Sequence, residues 1–342
     1  MKISIGTKAV SLNDKVFIIA EGCDNHLGNV QVARDMVREA KLAGADAIKF
    51  QHHLPDEEML PDAPMSDNFA EPLYDFLKKY ALTLEQHCEL KSYCDEVGII
   101  YMCTPFSWKA AQEISPLVPA FKIGSGEMTD IPTLARISGL SKPMIVSTGM
   151  STFDEIDRTY QALIKRNTQL ILMNCVSEYP PVYEDLNLGV IGEMIKRFPN
   201  ALIGHSDHTP DLYTSFAAVA LGARVLEKHV ILDKRQPGPD QSVSIDFDEL
   251  ARLVEGTRKI EVGLGVKKSV HSREADIRTW AFRSIVSTRN ISKGEVITQE
   301  EIWSKRPGTG IPAYQMDDVI GCRAARDIKS NVMIAWDDLL RG

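Results

Sequence analysis

Apolar runs of strand length recur along the first two-thirds of the chain, separated by amphipathic segments whose apolar residues fall three and four apart. After a short hairpin-like N-terminal stretch, eight such runs are read: Val16–Ala20, Ala45–Phe50, Ile99–Cys103, Ala120–Ile123, Met144–Ser147, Leu170–Asn174, Ala201–Gly204 and Arg224–His229. The helical pattern is clearest over Val30–Leu42 and Leu84–Glu96, and Ala43-Gly44 supplies a stop for the first of these. Strands alternating with helices imply parallel pairing, and eight such units predict an α/β fold, a closed (β/α)8 TIM barrel. The alternative is an open doubly wound sheet, weakened by the absence of a GxGxxG turn after the first strand.

A barrel of this kind carries its chemistry at the C-terminal strand ends, so polar residues should gather there. The first strand ends at Glu21, the second at Lys49 and Gln51, and the third runs into Thr104. The fourth carries Lys122 and leads to Ser125 and Glu127, and the fifth ends at Ser147. The sixth leads to Ser177 and Tyr179, the seventh to Ser206 and His208, and the eighth ends on Glu227 and His229. One polar strand end is ordinary, because strands exit into water. Eight of them argue for a site.

From about Ala281 the pattern changes. NISKGEVITQEEI (Asn290–Ile302) is echoed 37 residues later by DIKSNVMIAWDDL (Asp327–Leu339). Gly294 corresponds to Asn331, two types that tolerate the left-handed backbone of a tight turn. A compact, mostly β domain with pseudo-twofold symmetry is expected, with boundaries at 1–271 for the barrel, 272–280 for a charged linker and 281–342 for the small domain. About 60 residues is small for independent stability.

Composition narrows the function classes. The 342 residues are 44% hydrophobic, enough for a large core, and the formal net charge of −8 argues against a nucleic-acid partner. No run of about 20 apolar residues suggests a membrane span, and the N-terminus lacks the apolar core of a secretory signal. The six cysteines are scattered without a CxxC pair, so buried free thiols and a cytoplasmic location are expected.

Two constellations carry chemistry. His208 and His229 end neighbouring predicted strands, so their imidazoles can converge. Two neutral imidazoles plus oxygen ligands suit a borderline divalent ion with open coordination positions. Either histidine alone would read as a satisfied core residue. Glu227 shares the strand face of His229, and Asp207 is either an orienting group for a ligand or a helix cap. The second constellation is Lys49 and Lys122, each inside an apolar run where an unpaired ammonium is costly. Each requires an anionic ligand or a structural partner, for which Glu21 and Glu127 are the candidates. Those two carboxylates are also candidates for general acid/base work.

Read in order, AExxxNHxG (Ala20–Gly28), IKFQ (Ile48–Gln51), TPFS (Thr104–Ser107), FKIGSGE (Phe121–Glu127), STGM (Ser147–Met150), SDH (Ser206–His208), ALGARVLEKH (Ala220–His229) and PGPD (Pro237–Asp240) resemble the N-acetylneuraminate (sialic acid) synthase family. The tail, with KRPGTGI (Lys305–Ile311), resembles the antifreeze-like SAF domain of those enzymes. The resemblance implies a TIM barrel with a C-terminal SAF domain, a divalent metal (Mn2+ first, Mg2+ or Co2+ otherwise) and a domain-swapped homodimer. It implies His208 and His229 as metal ligands, and Lys49, Thr104, Lys122, Ser125 and Ser147 around phosphoenolpyruvate. Gln51, Ser177, Tyr179, Asp240 and Arg306 would face an N-acylhexosamine, Arg306 arriving from the other subunit, with Glu21 and Glu127 as catalytic carboxylates. The usual AEIGxNHxG is AEGCDNHLG here, so Gly22, Cys23 and Asp24 alter the first loop. Ser177 stands where asparagine is common, and Asn331 where a glycine often closes the SAF turn.

The implied reaction joins the enol carbon of phosphoenolpyruvate to the sugar aldehyde and releases phosphate, giving a nine-carbon sugar acid. Alternatives are a legionaminic- or pseudaminic-type synthase taking a dideoxy diamino sugar, a Schiff-base aldolase using Lys49 or Lys122, and a non-catalytic sugar-binding protein. PGPD leans away from the pseudaminic branch, the paired histidines speak against the aldolase, and the intact site set speaks against the binding protein.

Overall fold

The computed structural model describes residues 1–64, 69 and 71–341. The chain opens with an antiparallel hairpin, β1 (Lys2–Ile5) and β2 (Lys8–Ser11). Eight parallel strands follow: β3 (Phe17–Glu21), β4 (Ala47–His52), β5 (Ile100–Pro105), β6 (Phe121–Ile123), β7 (Met144–Ser147), β8 (Leu170–Cys175), β9 (Leu202–Asp207) and β10 (Val225–His229). They close into a barrel in chain order, with β10 returning to pair with β3. All eight expected strands are present, shifted by one to three residues at some ends.

The helices lie between the strands: α1 (Val30–Ala43), the short α2 (Pro55–Glu58) and α3 (Leu73–Tyr80), α4 (Leu84–Val97), α5 (Trp108–Ile114), α6 (Ile131–Ser138), α7 (Phe153–Ile164), α8 (Val190–Arg197), α9 (Tyr213–Leu221) and α10 (Phe247–Gly263). Local chemistry sets their ends. Asn29 caps α1 by accepting from the amides of Gln31 and Val32, and Gly44 at φ 87° terminates it. Thr83 with Gln86, and Thr152 with Glu155, form reciprocal capping boxes at α4 and α7.

Strand alternation sorts side chains between two cores. Outward residues such as Ile18, Ile48, Val146 and Leu226 pack against the helices. Inward residues near the strand starts, among them Phe17, Ala47, Met102, Ile145, Ile171 and Val225, pack with Ile3, Ile5 and Val10 of the hairpin. The hairpin therefore seals the N-terminal end of the barrel with apolar surface. The same inward rows, continued toward the C-terminal end, become Glu21, Lys49, Thr104, Lys122, Ser147, Glu227 and His229, which line a cavity. Register sets neighbours within that layer: Glu21 lies opposite Lys49 on one side and His229 on the other.

The chain divides into two compact units, Met1–Gly265 and Val266–Gly342. In the second, residues 272–280 contain a single 3-10 turn and most of α11 (Ala275–Ala281). Beyond them β11 (Ser284–Ser287) pairs with β12 (Ile302–Lys305), and, after α12 (Met316–Val319), β13 (Arg323–Ala324) pairs with β14 (Leu339–Leu340). The 37-residue repeat holds at atomic detail. Ile291 and Ile328, equivalent positions, exchange two backbone hydrogen bonds of 2.8 Å. Arg289 pairs with the buried Glu301 as Arg326 pairs with the buried Asp338, and Gly294 (φ 82°) and Asn331 (φ 60°) make the matching left-handed turns. Five of the six cysteines are buried, Cys88 is exposed, and all six are free. No helix among the described residues is long and apolar enough to cross a membrane.

Asp207 serves the fold. Its carboxylate accepts from the hydroxyls of Thr209 (2.8 Å), Thr214 (2.6 Å) and Ser215 (2.6 Å) at the head of α9, and lies 3.2 Å from the ammonium of the fully buried Lys228. Burial alone would raise its pKa, but Lys228, His205 and the hydroxyls hold it well below the usual carboxylate range. Such a group adds stability above its unfolded pKa, near 3.9, that is lost as pH falls toward the depressed folded value. Asp207→Ala strands the Lys228 ammonium, so urea unfolding at pH 7 should show a loss of ~3–5 kcal/mol. The deficit should shrink as the pH is lowered through 4; a constant deficit would rule out this ion pair as its origin.

Candidate active site

The cavity at the C-terminal strand ends has a volume of about 340 Å3. It is lined by Glu21, Lys49, Gln51, Thr104, Lys122, Ser125, Glu127, Ser147, Ser177, Tyr179, His208, His229 and Asp240. These are all the expected site residues of the first unit. Arg306 belongs to the second unit, where its guanidinium lies 5.1 Å from the ring centre of Trp280 and its Nε donates to the Ala281 carbonyl at 3.2 Å.

Both lysines have acidic partners. Lys49 forms an ion pair with Glu21, donates to Thr104 Oγ1 at 2.9 Å, and lies 3.8 Å from Glu227. Lys122 donates to Ser147 Oγ at 2.8 Å and lies 3.2 Å from Glu227, which also accepts from Ser206 at 3.1 Å. Of the two partners expected from the sequence, Glu21 holds Lys49, whereas Glu127 pairs with neither lysine among the described residues; Glu227 is shared instead. Burial lowers Lys49 to about 8 even with Glu227 opposing the shift. Glu227 would be raised by burial, but Lys122 and Lys49 hold it below its ordinary value. Alternation along β10 places Glu227 beside His229; only closure of the barrel brings it to both lysines.

The imidazoles converge. The ring centres of His208 and His229 are 5.1 Å apart. His208 Nδ1 lies 2.8 Å from the Val176 carbonyl, which only accepts, so this nitrogen carries the proton and Nε2 presents its lone pair toward the Tyr179 hydroxyl at 3.4 Å. His229 Nδ1 is buried without a hydrogen-bond partner among the described residues, and Asp240 Oδ1 stands 4.0 Å away. Burial, followed by the neighbouring His208, keeps the His229 pKa well below the ordinary value, so the ring is a neutral donor. Ligand atoms of Cys23, His229 and Asp240 all lie within 4.8 Å of one another. An orphaned buried imidazole nitrogen, a second imidazole whose Nε2 meets only the Tyr179 hydroxyl among the described hydrogen bonds, and an adjacent carboxylate fit a divalent ion. Charge points the same way. Glu21, Asp24, Glu127, Glu227 and Asp240 face two lysines across this space. Burial pushes Asp24 up to about 6 and Glu127 up to about 7.

Other contributors escaped the sequence reading. His53 lines the cavity, stacks on Phe106 at 4.2 Å, and bridges Glu58 Oε1 and Gln51 Oε1, each at 2.8 Å. It thereby fixes the Gln51 amide, whose Nε2 donates to Cys23 Sγ at 2.9 Å. The adjacent His52 binds Glu113 at 2.9 Å and does not line the cavity. One histidine in each direction is what a strand end allows, but nothing local says which faces in. Phe69, Leu73, Leu77, Phe106 and Met150 supply apolar wall. Gly149 of the STGM motif leaves room for the hydroxyls of Ser177 and Ser125, which a Cβ there would displace. A Cβ at Gly124 would displace the Glu127 carboxylate from its present position, while one at Gly126 would meet open space.

The NeuB family profile matches residues 36–269, and the SAF domain profile matches residues 282–340. The chain is 34% identical to N,N'-diacetyllegionaminic acid synthase of Legionella pneumophila, over 94% of either chain. It is 35% identical to human N-acetylneuraminate-9-phosphate synthase, covering 89% of this chain and 87% of that one. The crystal structure of the Bacillus subtilis spore coat polysaccharide biosynthesis protein SpsE is similar over the whole of both chains, at 33% identity and a TM-score of 0.69. The chain belongs to the NeuB family of nonulosonic acid synthases and carries a SAF domain at its C-terminal end.

Proposed function

We propose that this chain condenses phosphoenolpyruvate with an N-acylated hexosamine, such as N-acetylmannosamine, and releases phosphate. The observation that carries the reading is one cavity holding two buried lysines with flanking hydroxyls on one side and two converging imidazoles on the other. Lys49 and Lys122, with Thr104, Ser125 and Ser147, would bind the phosphate and carboxylate, exchanging carboxylate partners for substrate oxygens. Gln51, Ser177, Tyr179 and Asp240 would hold the sugar. A divalent ion at His208 and His229 would act as a Lewis acid toward the aldehyde oxygen of the open-chain sugar. Glu127 would take the proton of the water that adds to the phosphate-bearing carbon, and Glu21 would keep Lys49 charged and in place.

A second reading, a dideoxy diamino sugar as acceptor, is favoured by the apolar wall of Phe69, Leu73, Leu77, Phe106 and Met150. A methyl group suits such a wall better than a hydroxymethyl group does. The relatives at 34% and 35% identity are named for different sugar acids, so overall similarity does not choose between the readings.

Phosphate release from phosphoenolpyruvate with a panel of N-acylated hexosamines and diamino sugars tests both readings. Turnover should disappear in excess chelator and return with Mn2+, Mg2+ or Co2+, and His208→Ala should lose it without unfolding. Full activity in chelator, or a borohydride-stable adduct at Lys49 or Lys122, would instead support the aldolase chemistry.

Glu127 makes a second prediction. As the base it must be ionised, so kcat/KM should climb through about pH 7, and Glu127→Gln should remove that limb with most of the activity. In the metal-free protein the raised group adds stability that is complete below its unfolded pKa, near 4.3, and lost as pH rises through about 7. Glu127→Gln should flatten that part of the stability profile. A rate profile unchanged by the substitution would remove Glu127 from the proton transfer.

We further propose that Arg306 completes the partner's sugar site in a domain-swapped homodimer. A guanidinium fork is suited to a polar acceptor, and its surroundings include only an aromatic face and one carbonyl among the contacts described. Arg306→Ala and His208→Ala proteins, inactive alone, should regain activity when mixed, since a hybrid dimer has one intact site. Subunit exchange verified by mass without recovered activity would place Arg306 in its own chain's function or in none.

A further inference from the structure

We propose that Cys23 is a side-chain ligand of the ion at His229, so that this centre includes sulfur and favours softer divalent ions than two imidazoles alone would. The position is where the resembled motif, AEIGxNHxG, carries glycine. Cys23 lies at φ 45°, in the left-handed region where a side chain is strained and glycine is not. Strain of this kind at the mouth of a barrel strand raises the question of what the side chain does there.

That side chain is 4% exposed and reaches the cavity wall, where its sulfur, a His229 ring nitrogen and an Asp240 carboxylate oxygen lie within 4.8 Å of one another. His229 Nδ1 is itself buried without a hydrogen-bond partner among the described residues, and is 4.0 Å from Asp240 Oδ1. That spacing is too long for a hydrogen bond and short enough for one ion to bridge. The sulfur is oriented from behind, since Gln51 Nε2 donates to it at 2.9 Å and the His53 ring in turn holds the Gln51 oxygen at 2.8 Å. An N–H aimed at the sulfur fixes its position, and outer partners of this kind set ligand orientation. Thiolate ligands select zinc, cobalt and cadmium over magnesium and manganese. The bland alternative is a thiol that merely fills the wall and donates to Asp240. It accounts for the burial but leaves the strained backbone and the orphaned imidazole unexplained.

The inference rests on the metal reading above only for the presence of an ion, and not on either substrate. The full-length protein, stripped by chelator and kept reduced, is titrated with Co2+ alongside Cys23→Gly and Cys23→Ser. Glycine is at ease at this φ, so the first variant should fold, and serine keeps the shape of the side chain. Native protein should develop a sulfur-to-cobalt charge-transfer band in the near ultraviolet at one equivalent. Both variants should lose the band while still binding the ion. Affinity for Cd2+ should drop by roughly 100-fold, the upper end of what losing even an outer-shell partner costs, and affinity for Mn2+ far less. Bound Co2+ without the band in native protein, or an unchanged band in Cys23→Gly, overturns the assignment of Cys23 and leaves the histidine site standing. No bound Co2+ overturns both. A band in protein that turns over no sugar of the panel supports the ligand and counts against the proposed substrates.

Discussion

Glu227 lies 3.2 Å from the Lys122 ammonium and 3.8 Å from that of Lys49, and all three side chains are buried inside a ring of strands. An ammonium buried without such a partner would deprotonate or force the strand open. With it, and with Glu21 on Lys49, two cations can sit one layer above an apolar core that includes Ile19, Met102 and Ile145. The arrangement is neutral in pairs. It therefore favours charged lysines, and in the proposed reaction an incoming phosphate or carboxylate would compete with a carboxylate already in place.

The same layer explains why the cavity is polar on so many sides. Each barrel strand contributes inward residues at every second position, so the character of the interior changes from apolar to charged within one or two steps along the strand. The hairpin of Ile3, Ile5 and Val10 blocks the other end, which leaves one open mouth. Around that mouth, loop chemistry does the fine positioning. Gly149 gives room to two serine hydroxyls, Val176 fixes the His208 tautomer, and His53 locks the Gln51 amide between Glu58 and Cys23.

Some expectations changed on contact with three dimensions. Asp207 neither orients a metal ligand nor caps a helix through a backbone amide of its first turn; it binds Thr209, the side chains that open α9 and the buried Lys228. Glu127, weighed as a lysine partner, stands apart from both lysines, and its buried Oε2 has no hydrogen-bond partner among the described residues. In the second unit the repeat proved to be a structural symmetry, with Arg289–Glu301 and Arg326–Asp338 as equivalent ion pairs that periodicity had shown only as matched acidic residues.

Sequence by itself determined the parts that depend on local periodicity. Eight apolar runs, the 3.6-residue spacing between them and the glycine and hydroxyl punctuation predict a barrel, because alternation and capping act over a few residues. The polar ends of those runs name most of the cavity's polar lining for the same reason. Tertiary structure decided what lies across the barrel. Glu227 meets Lys49 and Lys122 only because β10 closes onto β3 and the strands tilt around a shared axis. Cys23 comes within reach of His229 and Asp240, residues more than two hundred positions away, only through that closure and a left-handed turn. No pattern along the chain encodes such meetings, since their distance is set by the geometry of the closed sheet and not by separation in sequence.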